Sequence, residues 1–233
     1  MTDSSAVVRV DPERARRTTA RLMAEAQRTV PQFYIRGVAV AEGLHRQAKA
    51  HGVSVTAVLL PLVASWLVRR PLLNGHWRDG RFDPQPSVAL GIAIEQQENV
   101  LVVATFSDCV AWSLDRFARE LADLRNRSDA NAFRVQDFAQ PSFTLSNLGG
   151  FGADESTSII TPPQVAVLSV GGLRLRPTVV GGELGVQRTL PLTLGVDHRA
   201  IDGAYAATSV ADLTAHIAGL TACDDPEPAG ARR

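Results

Sequence analysis

Residues 190–203 read LPLTLGVDHRAIDG, and this stretch decides both the fold and the candidate site. Its first half, Leu190 to Val196, is an apolar run with the length of a buried strand. A final helix is predicted from Gly203 to Leu220, so His198 lies at a junction between a strand and a helix. At such a junction a side chain can project from a rigid sheet edge into a cleft.

Three charged residues surround this histidine in the sequence: Asp197, Arg199 and Asp202. They can fix the orientation of the imidazole or of one another, which a general base needs in order to keep one tautomer. Because histidine titrates closest to neutral pH, His198 is the candidate base. The alternative from local sequence is a turn of charged residues in which Asp202 only caps the final helix. The other histidines are expected to be solvated or structurally paired: His45 and His51 in a polar helix, His76 in a loop and His216 in the last helix.

A second polar cluster lies in residues 143–152, FTLSNLGGFG, where a strand ends in a glycine-rich loop. Such a loop leaves backbone and hydroxyl donors free to approach a substrate oxygen closely. It is not a phosphate-binding P-loop, because no lysine follows the glycines and the only lysine is Lys49. Ser146 also lacks the Gly-x-Ser-x-Gly context of a hydrolase nucleophile. The alternative is an ordinary turn in which Ser146 bonds to the backbone.

Helical patterns dominate the first half of the chain and strand patterns the second, which favours an α+β fold of two layers with a mixed sheet. Helices are predicted at 12–28, at 55–68, from Ser113 onward and briefly at 134–138. Strands are predicted at 32–40, 88–94, 101–106, 143–146, 158–160, 165–170 and 173–180, with a turn at 97–99 and a loop or hairpin at 75–86. We expect one domain over 12–220, an N-terminal extension at 1–11 and a flexible tail at 221–233.

The composition describes an ordinary globular protein. Acidic and basic residues number 24 each, so the chain has no electrostatic footprint for nucleic acid or an anionic membrane. Cys109 and Cys223 form no Cys-x-x-Cys pair, so neither a metal site nor a disulfide framework is indicated. No apolar run reaches the length of a membrane span and no signal peptide is recognisable, so a cytoplasmic location is expected.

Three segments together resemble the catalytic domain of the dihydrolipoamide acyltransferases of 2-oxoacid dehydrogenase complexes, a family with the chloramphenicol acetyltransferase fold. They are DHRAIDG at 197–203, FTLSNLG at 143–149 and ITPPQVA at 160–166, and their order and spacing agree as well. A weaker likeness at 29–33 and through the strands at 88–106 extends the resemblance over roughly 12–220.

The resemblance implies roles for three residues. His198 would deprotonate the acceptor, Ser146 would donate a hydrogen bond to the oxyanion of the tetrahedral intermediate, and Asp202 would organise the site. We therefore expect His198 and Ser146 to face one channel, and in the family they meet across a subunit boundary. No covalently bound cofactor is expected, since an acyl-coenzyme A or acyl-carrier thioester would serve as co-substrate.

The chain also departs from full-length members of that family. It has no recognisable lipoyl or subunit-binding domain, and Lys49 lies in a helical context. We therefore expect a free-standing acyltransferase that moves an acetyl or short acyl group from coenzyme A or an acyl carrier protein to a small-molecule hydroxyl. By analogy with similar free-standing relatives, the resemblance also suggests O-acetylation of a tetronate or spirotetronate intermediate in antibiotic biosynthesis.

Two alternatives remain open. The chain can be the core of a 2-oxoacid dehydrogenase complex that is served by lipoyl domains supplied in trans, or a catalytically silent assembly subunit. Its polar C-terminus favours a homotrimer or a monomer over a cubic core.

Overall fold

The computed structural model describes residues 7–96, 100–180 and 182–220. The predicted turn at 97–99 and the predicted tail at 221–233 lie outside the described residues. Val7 and Val8 of the predicted extension form a short strand pair with Phe133 and Arg134. Among the described residues no single helix is long and apolar enough to cross a membrane, although one helix pair, bent by 117°, reaches the required length and composition.

The described residues contain five α-helices: α1 (Pro12–Thr29), α2 (Glu42–Ala50), α3 (Val55–Arg69), α4 (Leu114–Asp129) and α5 (Gly203–Ala218). Side-chain oxygens begin three of them, because the first backbone N–H groups of a helix lack partners within it. Asp11 accepts from the Arg14 N–H at 2.7 Å, Ser54 from the Ala57 N–H and Ser113 from the Arg116 N–H. The predicted short helix at 134–138 is a 3-10 helix, Val135–Phe138.

Within the same ranges of the chain there are eleven strands: β1 (Val7–Val8), β2 (Gln32–Val40), β3 (Gly75–Arg78), β4 (Arg81–Pro84), β5 (Leu90–Gln96), β6 (Val100–Phe106), β7 (Phe133–Arg134), β8 (Phe143–Asn147), β9 (Ala166–Val170), β10 (Arg174–Val180) and β11 (Glu183–Asp197). Seven of them form one sheet. β8 pairs parallel to β5 and β9, whereas the other pairs in this sheet are antiparallel, so the sheet is mixed as predicted.

Strand β11 organises the sheet. β9 and β10 follow one another along one of its edges, and β2 pairs along the other edge from Thr189 to Asp197. α3 lies at the centre of the helical layer, with α2, α4 and α5 in contact with it, and α1 packs along β6. Trp66 of α3 is fully buried, and its indole N–H donates to the Ser209 carbonyl of α5. The two-layer α+β prediction is confirmed.

Two strand predictions differ from the structure. Residues 158–160 form no strand, because side chains rather than a neighbouring strand satisfy their backbone: the Tyr34 hydroxyl donates to the Ser158 carbonyl, and the Ile160 N–H donates to Gln32. β11 begins at Glu183 rather than at Leu190, since residues 183–189 pair with β10 as a two-stranded ribbon. The predicted loop or hairpin at 75–86 is the β3–β4 hairpin.

Candidate active site

His198 lies directly after β11, five residues before the first residue of α5. Its backbone N–H donates to the Pro31 carbonyl at 3.0 Å, and its ring lies against Phe33 with centroids 4.6 Å apart. The side chain is 54% exposed. The imidazole is therefore held on one side by the start of β2 and is open to a reactant on the other.

The turn that carries His198 is fixed by a buried ion pair. Asp197 is 0% exposed and accepts hydrogen bonds from the backbone N–H, Nε and Nη2 of Arg199, the last at 2.6 Å. The Arg199 guanidinium also lies over the Trp77 ring, 5.0 Å from its centroid. Asp197 and Arg199 thus orient one another and the turn rather than the imidazole itself.

Asp202 occupies the N-cap position of α5, but its side chain makes no capping hydrogen bond. Its Oδ1 atom lies 3.9 Å from His198 Nδ1, and the side chain is 90% exposed. The capping alternative therefore does not describe its side chain. The carboxylate therefore lies beside the imidazole, beyond the distance of a direct hydrogen bond.

Ser146 is the fourth residue of β8 and pairs with Ser169 of β9. Leu145 faces the helices with 1% exposure, so the alternation of side chains along a strand directs Ser146 to the opposite face. Among the described residues Ser146 Oγ has no hydrogen-bond partner, whereas Ser169 Oγ lies 2.7 Å from Ser158 Oγ. The Ser146 hydroxyl is free to bind a ligand, and the alternative of a serine bonded to its own turn does not apply.

One chain does not bring Ser146 and His198 together. Ser146 aligns with Ser169 and Thr193 across β9 and β11. Relative to Ser146, His198 is therefore displaced by five residues, about 16 Å, in the direction of the strands and by two strands, about 10 Å, across the sheet. The Phe33 ring beside His198 packs towards the helices, which is the face opposite Ser146. The expected common channel is therefore absent within a single chain.

The other histidines are not assembled into this site. His76 lies in β3 rather than in a loop and is buried. Its Nε2 hydrogen-bonds to the Pro141 carbonyl at 2.9 Å, and its Nδ1 has no hydrogen-bond partner in the part of the chain that the structure describes. Burial lowers the pKa of His216, and the charge of Arg69 lowers it further. No group of three or more His, Cys, Asp or Glu side chains in the described ranges could hold a metal ion.

Sequence reasoning missed the residues that hold His198 in place. Phe33 and Trp77 are far from it in the sequence, and no local pattern connects a ring in β2 or β3 to the end of β11. The only available signal was the weak resemblance at 29–33, which includes Pro31 and Phe33.

Comparisons with known proteins agree with this geometry. The family model described as 2-oxoacid dehydrogenases acyltransferase (catalytic domain) matches residues 4–222. One relative is the dihydrolipoyllysine-residue acetyltransferase component 3 of the mitochondrial pyruvate dehydrogenase complex of Arabidopsis thaliana. It is 29% identical to this chain over 223 residues, and the match covers 88% of this chain and 41% of that protein. The chain spans about two fifths to one half of the length of the curated relatives it matches.

Two solved structures are each 25% identical to the chain, with a TM-score of 0.82 and 92% of both chains covered. One is the dihydrolipoamide acetyltransferase of Azotobacter vinelandii, and the other is the cubic core of a pyruvate dehydrogenase multienzyme complex. Chloramphenicol acetyltransferase, 16% identical with a TM-score of 0.51, shares the fold alone.

The structure of the Azotobacter vinelandii enzyme was determined to examine three residues in its catalytic mechanism. They are a serine, a histidine 52 positions after it and an asparagine four positions after the histidine. The same spacings separate Ser146, His198 and Asp202 here, with an aspartate in place of the asparagine. The fold, these spacings and the match over nearly the whole chain agree, and this chain belongs to the family of 2-oxoacid dehydrogenase acyltransferase catalytic domains.

Proposed function

We propose that the chain transfers an acetyl or other short acyl group between a thioester and an acceptor nucleophile, with His198 as the general base. The observation that carries the proposal is the half-exposed imidazole, held at the sheet edge by Pro31 and Phe33 in a chain of an acyltransferase family. Coenzyme A and a carrier-bound thiol are the proposed thioester partners.

In this mechanism the neutral imidazole of His198 takes the proton of the acceptor S–H or O–H while the acceptor atom attacks the thioester carbonyl carbon. The π electrons of the carbonyl move to its oxygen and give a tetrahedral oxyanion. When the C=O bond re-forms, the donor leaves as a thiolate and takes the proton back from the imidazolium. No covalent acyl-enzyme is formed, and His198 returns to its neutral form.

Ser146 and Asp202 act on charges that develop during this reaction. The free Ser146 hydroxyl donates a hydrogen bond to the oxyanion, which lowers the energy of the intermediate more than that of the neutral thioester. The Asp202 carboxylate, 3.9 Å from Nδ1, favours the imidazolium that forms when His198 takes the proton.

The site requires two copies of the chain, since Ser146 and His198 lie on opposite faces of one copy. We propose that Ser146 of one copy meets His198 of the next in a closed ring of three chains. A two-fold dimer joins two identical surfaces, so three is the smallest number of chains that closes a symmetric ring through head-to-tail interfaces. The β10–β11 ribbon supports such an interface.

Residues paired across this ribbon share one face. On that face four apolar side chains are each more than half exposed: Leu175, Val179, Leu184 and Val186. Soluble monomers rarely leave a contiguous apolar patch of this kind uncovered, and a second copy of the chain is the proposed cover. Light scattering tests the assembly. Three chains of 25.0 kDa support it and a monomer contradicts it, whereas a particle of 24 or more chains contradicts the expectation that assembly stops at the trimer.

Two acceptors are candidates. The names of the relatives favour the thiol of a reduced lipoyl-lysine residue on a lipoyl domain. A small-molecule hydroxyl, including the hydroxymethyl group of a tetronate intermediate, is the second candidate. Lys49, the only lysine in this sequence, lies inside α2 and not at a hairpin tip, so a lipoyl-lysine acceptor would come from another segment or another chain.

The experiment is acyl transfer from acetyl-coenzyme A to a reduced lipoyl domain and, separately, to hydroxylated small molecules. Wild-type protein is compared with His198→Ala, and circular dichroism confirms that both are folded. Transfer to one acceptor class that is lost in His198→Ala supports the proposal and identifies the acceptor. Absence of transfer to every acceptor favours a silent assembly subunit, and equal rates in both proteins exclude His198 as the base.

A further inference from the structure

Asn147 is the last residue of β8 and directly follows Ser146. Its side chain makes two hydrogen bonds in opposite directions. Nδ2 donates to Thr56 Oγ1 at 3.0 Å, and Oδ1 accepts from the backbone N–H of Gly149 at 3.0 Å. The residue therefore links the end of β8 both to the helical layer and to the glycine-rich loop.

Both partners of Asn147 belong to rigid parts of the molecule. Thr56 lies in the first turn of α3, a helix capped by Ser54 and buried along most of its length. Gly149 packs tightly on Gly171: a Cβ atom at Gly149 would lie 2.3 Å from the Gly171 carbonyl oxygen. Neither anchor can move without disturbing the packing of the domain.

The two neighbouring side chains of β8 point in opposite directions, because successive side chains alternate along a strand. Asn147 points with Leu145 towards the helices and reaches Thr56, whereas Ser146 points to the opposite face. The end of β8 is thus held by hydrogen bonds on the side of the helices. On the opposite face, the Ser146 hydroxyl has no hydrogen-bond partner among the described residues.

We infer that Asn147 is a positioning residue that sets the location of the Ser146 hydroxyl for the proposed reaction. The inference rests on the proposed function, in which Ser146 must lie within hydrogen-bond distance of an oxyanion bound by another copy. Donors at such sites have to be held to about 0.5 Å, and an error of about 1 Å can cost a hundredfold in rate. Among the described residues, the two hydrogen bonds of Asn147 are the only side-chain hydrogen bonds that hold the end of β8.

The test measures kcat and KM for acyl transfer in Asn147→Ala and Asn147→Asp, each made with Ser146 present and in a Ser146→Ala background. We expect Asn147→Ala to lower kcat by roughly tenfold or more with a smaller change in KM. The aspartate should restore most of the rate, because its carboxylate accepts from Gly149 and from the Thr56 hydroxyl, which can rotate to donate. In the Ser146→Ala background, Asn147→Ala should have almost no further effect.

Thr56→Val provides a second variant that keeps the Gly149 link and the size of the side chain, and it should show a smaller loss with the same dependence on Ser146. An equal loss from Asn147→Ala in both backgrounds, or wild-type kcat in Asn147→Ala, overturns the inference alone. If Ser146→Ala itself leaves kcat unchanged, the proposed role of Ser146 fails and the inference fails with it.

Discussion

The ion pair between Asp197 and Arg199 gives a prediction that depends directly on burial. The Asp197 carboxylate is 0% exposed, and its only ionic partner among the described residues is Arg199, whose side chain is 33% exposed. Arg199→Ala leaves a buried carboxylate without a counter-charge, and Asp197→Ala leaves a guanidinium that can turn to solvent. The two single substitutions are therefore not equivalent.

Breaking a buried pair so that one charge stays buried costs about 3–5 kcal/mol, which is the expected loss for Arg199→Ala. Asp197→Ala removes the hydrogen bonds that Arg199 donates, and water can take their place on the guanidinium. The expected loss of unfolding free energy is therefore smaller, about 1.5–3 kcal/mol. At this chain length each kcal/mol shifts Tm by about 2–4 °C, so Arg199→Ala should lower Tm by roughly 10 °C. The double variant should melt at a higher temperature than Arg199→Ala alone, because it buries no unpaired charge.

The assay is thermal unfolding followed by circular dichroism for the wild type, both single variants and the double variant. Equal Tm losses for the two single variants, or a double variant less stable than Arg199→Ala, would refute the reasoning. Either result would show that Asp197 gains access to water when its partner is removed.

The remaining predictions concern the site and its surroundings. His198→Ala should lower acyl transfer by about two to four orders of magnitude with its fold intact, and Ser146→Ala by roughly a hundredfold or more; steady-state kinetics measure both. Asp202→Ala should change Tm by no more than about 2 °C, because the exposed carboxylate contributes less than about 0.5 kcal/mol and forms no cap. Since the folded-state pKa of His216 lies below 6.5, the unfolded chain takes up its proton first, and stability falls as pH drops below about 6.5. The decrease in Tm between pH 7.5 and pH 5.5 should therefore be smaller in His216→Gln than in the wild type, which melting curves at the two pH values measure.

Much of the fold could be predicted from local patterns. Val55–Arg69 is apolar on all sides and follows a capping serine, so it is a buried helix in the structure as in the sequence. The long β11 was harder, because residues 183–188 are mostly polar and pair as strand residues only with β10, outside the main body of the sheet. A pattern search for buried strands detects the core half of such a strand and misses the ribbon half.

The candidate site was predicted only in part. The position of His198 at a strand-to-helix junction follows from local sequence, since an apolar run, a charged turn and a helix start are all local signals. The Phe33 contact with His198 and the Trp77 contact with Arg199 depend on side chains supplied by β2 and β3, which local sequence does not encode. The separation of Ser146 from His198 follows from the sheet register, which becomes visible only when β8, β9 and β11 are aligned.

The central claim is that one active site takes His198 from one copy of the chain and Ser146 from another. The most direct measurement mixes the two inactive variants, His198→Ala and Ser146→Ala, under conditions in which subunits exchange, and records acyl transfer. In a randomly mixed ring one interface in four combines an intact histidine with an intact serine, so activity should recover to about a quarter of the wild-type rate. A mixture that fully exchanges subunits but is no more active than its separate components would contradict the claim.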